Sequence, residues 1–165
     1  MYFANDQFGK RVSIEQTHVK QDYFCPICSE LLVLKKGEIR VHHFAHKANS
    51  QCTDTWHYDM SEWHFEWQNR FPEDCQEIVM AHEGKKHRAD VVIGKTVVEF
   101  QYSSLSMEEF EERNAFYQAL GYKVVWIFDM TEPWESGALS CLENSDFKMR
   151  WSRPKPTFNC FDPKK

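Results

Sequence analysis

Residues 87–102 read HRADVVIGKTVVEFQY, two apolar runs on either side of Gly94-Lys95. Runs rich in Val and Ile around two residues that include a glycine predict a tight β-hairpin. In the register that such a turn fixes, Asp90 faces Glu99, and directly opposed side chains lie on the same side of the sheet. Side chains alternate between the two faces of a strand, so Gln101 shares that side. The hairpin is therefore predicted to gather three polar side chains on one face.

Two opposed carboxylates repel each other unless a cation or a shared proton relieves the repulsion. A hard divalent cation such as Mg²⁺ or Mn²⁺ prefers oxygen ligands and usually keeps several waters. Asp90, Glu99 and a nearby backbone carbonyl, for instance that of Phe100, would form a half-open site of this kind. The alternative is a solvent-facing acidic pair on an amphipathic hairpin.

These residues resemble a known signature. Asp90, eight intervening residues and then Glu99-Phe100-Gln101 are similar to the D…(D/E)-x-K pattern of the PD-(D/E)XK nucleases, with Gln101 where most members have Lys. More narrowly, HRADV followed by VEFQYSSLS, with Glu112-Arg113 beyond it, resembles the competence protein CoiA-like family, in which the Gln form is usual. The resemblance covers about residues 25–129. It implies a metal-dependent nuclease that hydrolyses DNA on a restriction-endonuclease-like αβββαβ core.

The resemblance also assigns roles to the hairpin residues. Asp90 and Glu99 would hold the catalytic Mg²⁺ or Mn²⁺, and Gln101 would orient the attacking water or contact the phosphate. A Gln supplies neither the charge nor the acid–base chemistry of a Lys, so water activation would differ from that in most of the superfamily.

Residues 59–71, DMSEWHFEWQNRF, predict a helix with one apolar stripe, which is typical of core packing. The stripe consists of Met60, Trp63, Trp67 and Phe71. In the fold that the resemblance implies, the first helix often adds a polar group to the site, and the WHxxWQ pattern resembles that of the family. We rank His64 first for this role and Gln68 second, and place Glu62 lower because it points away from the stripe. The alternative is that His64 is an ordinary helix residue.

A second group of polar residues lies nearer the N-terminus. Cys25-Pro-Ile-Cys28 is followed by a predicted hairpin that turns at Lys36-Gly37 and brings His43, His46 and Cys52 back toward it. Cys-x-x-Cys presents two thiolates to one ion, and structural zinc is tetrahedral. We predict zinc ligation by Cys25, Cys28, His46 and Cys52, with His43 as the alternative to His46. The CPxC…HFAH pattern is similar to a zinc-ribbon-like module of the CoiA-like family; the competing interpretation is a free cysteine pair beside ordinary histidines.

Such a module has little core and gains folding free energy from its metal. Its surface is predicted to be basic, with Lys35, Lys36, Arg40, His42 and Lys47. We interpret it as a small domain that grips the nucleic-acid backbone, or alternatively as a structural cap on the nuclease core.

The order of elements supports an α/β (α+β) fold. A strand near residues 76–80, the hairpin, a helix over 106–120 and a strand over 123–128 follow the first helix. The connection through the 106–120 helix is predicted to be a right-handed crossover between parallel strands. We place a zinc-ribbon-like module at 1–55, the nuclease core at 56–130 and a C-terminal extension at 131–165. The basic tail of that extension would contact DNA or be a solvated terminus.

Length, charge and cysteine content limit the classes of protein to which this chain can belong. The chain has 165 residues, a net charge of −5 and six cysteines. No apolar run is long enough for a membrane span and the first residues lack a signal peptide's hydrophobic region, so we expect a cytoplasmic protein whose cysteines bind metal. The expected partner is DNA, and the resemblance also admits a homodimer. The rival to a nuclease is a non-catalytic, zinc-containing DNA-binding accessory protein.

Overall fold

The N-terminal region consists of two small antiparallel sheets. The computed structural model describes residues 1–52, 54, 56, 61–142 and 149–152. Strands β1 (Phe3–Asp6), β2 (Arg11–Ser13) and β3 (Tyr23–Phe24) form one sheet in the order β2-β1-β3, and β4 (Leu32–Lys35) pairs with β5 (His43–His46). Buried side chains from both sheets, including Phe3, Tyr23, Leu32 and Phe44, share a single core with Ile14 of the connecting segment.

A four-stranded sheet with two helices follows the N-terminal region. Its elements are α1 (Glu62–Gln68), β6 (Gln76–His82), β7 (Lys85–Ile93), β8 (Thr96–Gln101), α2 (Met107–Ala119) and β9 (Lys123–Phe128). The strands lie in the order β6-β7-β8-β9, with antiparallel pairing except between β8 and β9, which α2 connects in parallel. The predicted αβββαβ order, the parallel crossover and the α/β (α+β) class are confirmed.

One helix packs on each face of this sheet. The α2-side cluster contains Met80, Ala89, Val97, Phe116 and Tyr117. The α1-side cluster contains Val91, Val98 and Phe100, with Trp63, Trp67 and Phe71 packed against them. The aromatic stripe predicted on the first helix is therefore core.

The first helix is shorter than predicted. It begins at Glu62, where the Ser61 hydroxyl caps it by accepting the His64 N–H at 3.1 Å. It ends at Gln68, and the backbone before Pro72 disfavours helical geometry. The N-terminal part of the predicted helix, Asp59 and Met60, lies outside the described residues.

The hairpin turn has the predicted register. The pairs nearest the turn run from Ile93–Thr96 to Val91–Val98. Gly94 has a φ of 55°, a conformation that glycine adopts without steric cost. Beyond Val91 the regular ladder stops, so Asp90 and Glu99 are not a simple cross-strand pair.

The alternation of side chains breaks at Asp90. Residues 89 and 91 of a regular strand share a face, but Ala89 belongs to the α2-side cluster and Val91 to the α1-side cluster. The neighbouring strand is irregular at the same level, because Glu77, which would face Asp90, has a φ of 44° and is skipped by the β6–β7 pairing. Such local irregularities redirect side chains, and here they turn Asp90 toward α1.

A short helix, α3 (Thr131–Glu135), and the strand pair β10 (Leu139–Cys141) and β11 (Met149–Trp151) follow the sheet. Cys160 and most of the basic tail (Lys148, Arg153, Lys155, Lys164 and Lys165) lie outside the described residues. The domain boundaries near residues 55 and 130 stay predictions. Within the described ranges, every helix is too short or too polar to cross a membrane.

Replacing Phe100 with Ala should destabilise the fold strongly. The ring is 3% exposed and lies against Trp63, Trp67 and Phe71, and truncation of a buried Phe costs about 3–5 kcal/mol. Urea unfolding would measure the loss, with Ile93→Ala as the control because Ile93 is 46% exposed. Equal effects of the two changes would contradict the proposed core.

Candidate functional site

The predicted zinc ligands lie together. The ligand atoms of Cys25, Cys28, His46 and Cys52 are all within 4.8 Å of one another. The Cys-x-x-Cys segment forms a tight knuckle, in which the Ile27 N–H donates to the Cys25 Sγ at 3.4 Å. Three thiols and one imidazole are a donor set that suits a tetrahedral zinc ion. The cluster could therefore hold a metal.

His46, and not His43, completes this cluster. The β4–β5 register places His46 at the base of the hairpin and His43 at its far end, opposite Lys35. His46 Nε2 lies 3.4 Å from the Cys28 Sγ, whereas His43 Nδ1 donates to the Val41 carbonyl at 2.8 Å.

The loop that carries Cys52 is held by Glu30. The Glu30 carboxylate accepts the Gln51 N–H at 2.8 Å and the Ser50 hydroxyl. The Ser50 oxygen in turn accepts the Cys52 N–H at 3.2 Å. Because Glu30 follows the knuckle directly, these bonds bring the third cysteine to the first two.

The acidic pair of the hairpin is buried. Asp90 is 4% exposed and Glu99 is 1% exposed. The two residues touch through backbone donors: the Asp90 N–H lies 3.4 Å from Glu99 Oε1, and the Phe100 N–H donates to Asp90 Oδ2 at 2.8 Å. The solvent-facing interpretation of this pair is wrong.

Glu99 is surrounded by donors from α2. The Tyr117 hydroxyl donates to Oε1 at 2.9 Å, and Arg113 Nη1 donates to Oε2 at 3.0 Å. Burial and the charge of Asp90 nevertheless raise the pKa of Glu99 to about 8, against the opposing effects of Arg113 and Tyr117. The pair therefore resists carrying two full negative charges unless a further cation is present.

His64 lies on the other side of Asp90. Its Nε2 is 3.4 Å from Asp90 Oδ1 and 3.2 Å from the Gln68 Oε1. Burial acts to lower the pKa of His64, but the charge of Asp90 and hydrogen bonds to Asp90 and Gln68 raise it above the ordinary value. The Gln68 amide in turn donates to Gln76 Oε1 at 3.3 Å. Glu62, by contrast, is exposed. Of the ranked helix residues, His64 is the one placed at the acidic pair.

Gln101 occupies the face predicted for it but makes other contacts. It follows Val97 and Glu99 along the α2 side of β8, and its amide donates to the Ser103 carbonyl at 2.9 Å and hydroxyl at 3.2 Å. The structure thus brings Asp90, Glu99 and His64 together and turns the Gln101 amide toward Ser103.

Sequence reasoning missed three charged or polar neighbours of the site. Arg113 and Tyr117 are four residues apart, so both lie on one face of α2, and their burial among apolar neighbours is the signal that a helical projection would reveal. Glu77 carries no such signal. Its carboxylate accepts the backbone N–H groups of Tyr2 at 2.6 Å and Phe3 at 3.2 Å, which ties β1 to the central sheet beside Asp90.

Comparison with known families covers almost the whole chain. Residues 7–54 match a family model described as "Competence protein CoiA, N-terminal domain". Residues 65–165 match a second model, described as "Competence protein CoiA, nuclease-like domain". No curated protein and no solved structure matches the chain.

Metal analysis should separate the two histidines. We expect His46→Gln to lower the zinc bound per chain and the melting temperature, because it removes a ligand whose metal contributes folding free energy. His43→Gln should retain both, since His43 lies at the far end of the hairpin and donates to the Val41 carbonyl. Zinc content by elemental analysis measures the difference, and the reverse pattern would make His43 the ligand.

Replacing Glu99 with Gln should flatten the dependence of stability on pH. The pKa of Glu99 rises from 4.5 to about 8 on folding, so the folded chain holds a proton that the unfolded chain releases across this range. That contribution to stability is present below pH 4.5 and is lost as the pH rises toward 8.

Urea unfolding of the zinc-loaded protein, without Mg²⁺ or Mn²⁺, tests this prediction. Between about pH 5.5 and 8, wild type should lose up to about 1.4 kcal/mol per pH unit more than Glu99→Gln. The exposed-site change Glu66→Gln serves as the control. Parallel curves for wild type and Glu99→Gln would contradict the raised pKa.

Proposed function

Because this chain belongs to the competence protein CoiA family, we propose that it is a metal-dependent nuclease that hydrolyses phosphodiester bonds in DNA. The observation that supports this most directly is the buried pair Asp90–Glu99 beside His64. Strongly perturbed acidic groups with a specific charged neighbour are typical of active sites. Because the matching family model is described as nuclease-like, we take nucleic acid as the substrate class of this site.

The donor set of the acidic pair suits Mg²⁺ or Mn²⁺. Asp90 and Glu99 offer hard carboxylate oxygens, which these ions prefer. Burial and the charge of Asp90 raise the pKa of Glu99, and a bound divalent cation would favour its charged form. When bound, such an ion polarises the scissile phosphate and lowers the pKa of a coordinated water.

The protein's own groups would prepare this site. Arg113 and Tyr117 hold the Glu99 carboxylate in one orientation, and the Phe100 N–H does the same for Asp90. His64, whose pKa is raised, would donate a hydrogen bond or a proton near the same phosphate. Gln101 would turn from Ser103 to orient water or contact the phosphate.

The N-terminal module would bind one zinc ion through Cys25, Cys28, His46 and Cys52. Thiolate ligation of this kind is typical of the reducing cytoplasm, where we place the protein. The exposed Lys35, Lys36, Arg40 and Lys47 would meet the DNA backbone.

The second candidate is a zinc-containing DNA-binding accessory protein without catalysis. Gln101 favours it, because an uncharged amide that already bonds to Ser103 cannot replace the charge or acid–base function of a Lys.

Cleavage of supercoiled, linear and single-stranded DNA by the zinc-loaded protein tests the proposal. We expect nicking or degradation that requires added Mg²⁺ or Mn²⁺ and disappears in Asp90→Ala. His64→Gln should lower the rate about 100-fold if the imidazole takes part in proton transfer. Glu66→Gln, on the exposed face of the same helix, should cleave as wild type does.

Two results would contradict the proposal, the first its active site and the second its catalytic activity. Cleavage that persists in Asp90→Ala would place the chemistry elsewhere. Salt-sensitive binding without cleavage of any substrate, unchanged in Asp90→Ala, would identify the accessory protein instead.

A further inference from the structure

The loop of residues 36–42 projects from a fixed base. The β4–β5 register ends at Lys35–His43, and at the opposite end of the hairpin His46 belongs to the cysteine–histidine cluster. Phe44 is buried in the N-terminal core. The hairpin is therefore held at the metal-site end and along its length.

The returning arm of this loop is also held. His42 Nδ1 lies 2.9 Å from Glu15 Oε1, and His43 Nδ1 donates to the Val41 carbonyl at 2.8 Å. These contacts leave the outer part of the loop, residues 36–40, as the exposed end of the hairpin.

Ile39 stands at this end with its side chain in solvent. It is 97% exposed, more than any other large apolar side chain among the described residues. Lys35, Lys36 and Arg40 surround it in sequence, all exposed, and none of these three forms an ion pair within the described ranges. Glu38 is the single acidic residue of this segment, so the segment carries a net positive charge.

We propose that this segment, residues 35–40, here called the hairpin tip, binds duplex DNA with its cations on the phosphates and Ile39 inserted at a base step. The proposal rests on the DNA substrate proposed above and adds that the substrate is double-stranded. Cations on two sides of an aliphatic side chain match a minor groove, where apolar wedges unstack base steps between two phosphate strands.

The same chemistry would also attract an anionic lipid surface. The hairpin tip favours the duplex because it offers a single aliphatic side chain, whereas interfacial membrane binding requires a broad apolar face. One wedge is enough to open one base step.

The test uses the zinc-loaded 165-residue chain with the change Asp90→Ala, so that binding is measured without cleavage. The probes are duplexes with 2-aminopurine at successive positions, whose fluorescence rises when the base unstacks, and the same sequences as single strands. We expect Asp90→Ala to bind the duplex more tightly than the single strand and to raise the 2-aminopurine fluorescence of the duplex.

Two sets of variants separate the cations from the wedge. Replacing Lys35, Lys36 and Arg40 with Gln should weaken duplex binding at least tenfold and reduce the slope of log affinity against log salt by about 2–3, close to one per lost phosphate contact. Ile39→Ala should abolish the fluorescence rise and leave the salt slope unchanged.

Phe8 provides the matched control. It is 84% exposed at the turn between β1 and β2, so Phe8→Ala removes a similar exposed apolar group from another loop of the same module and should change neither readout. Retained zinc content shows that each variant is folded.

Three results would overturn the inference: an unchanged fluorescence rise in Ile39→Ala, duplex binding unaffected by the triple change, or binding to anionic phospholipid vesicles that Ile39→Ala abolishes while duplex binding persists. The nuclease proposal can fail independently of this inference. If wild type cleaves DNA but the hairpin-tip variants change neither duplex binding nor fluorescence, only this inference is overturned. If the base unstacks but no substrate is cleaved, only the nuclease proposal is overturned.

Discussion

The carboxylate of Glu99 is the group on which the rest of the structure depends. It is buried at the centre of the sheet, next to a second acid, Asp90, and burying an unpaired charge is very costly. Arg113 and Tyr117 satisfy its oxygens, and their position requires that α2 pack on this face. The guanidinium also lies 5.1 Å from the ring centroid of Trp56. Charge balance at one residue thus links the central strand to the helix that crosses it.

Several polar contacts join the N-terminal region to this sheet. Glu77 of β6 accepts the backbone N–H groups of Tyr2 and Phe3, and Arg88 Nε of β7 lies 3.9 Å from the Glu77 carboxylate. On the neighbouring residue of β7, His87 donates to Asp54 at 3.1 Å, two positions beyond Cys52 of the metal cluster. The segment that follows Cys52 is therefore linked to the strand that carries Asp90. This arrangement makes the module part of the framework that supports the site.

The irregularity at Asp90 explains why the site differs from a flat acidic face. A regular hairpin would direct Asp90 and Glu99 to the same helix. The break in alternation turns Asp90 to His64 of α1 while Glu99 stays with α2. The acids consequently meet at the level where both helices reach the sheet, and they have different partners. Two carboxyl groups in unlike environments are suited to unlike roles.

The sequence alone determined the order of elements, the hairpin register near Gly94, the parallel crossover and the three cysteines of the cysteine–histidine cluster. These depend on local signals: turn residues, alternation, helical spacing and the short separation of Cys25 from Cys28. Only the tertiary structure decided between His43 and His46, turned Asp90 from Glu99's face, and brought Arg113, Tyr117 and Glu77 to the acidic pair. Such contacts join residues far apart in the chain, and their free energy comes from balancing buried charge, which no local pattern records.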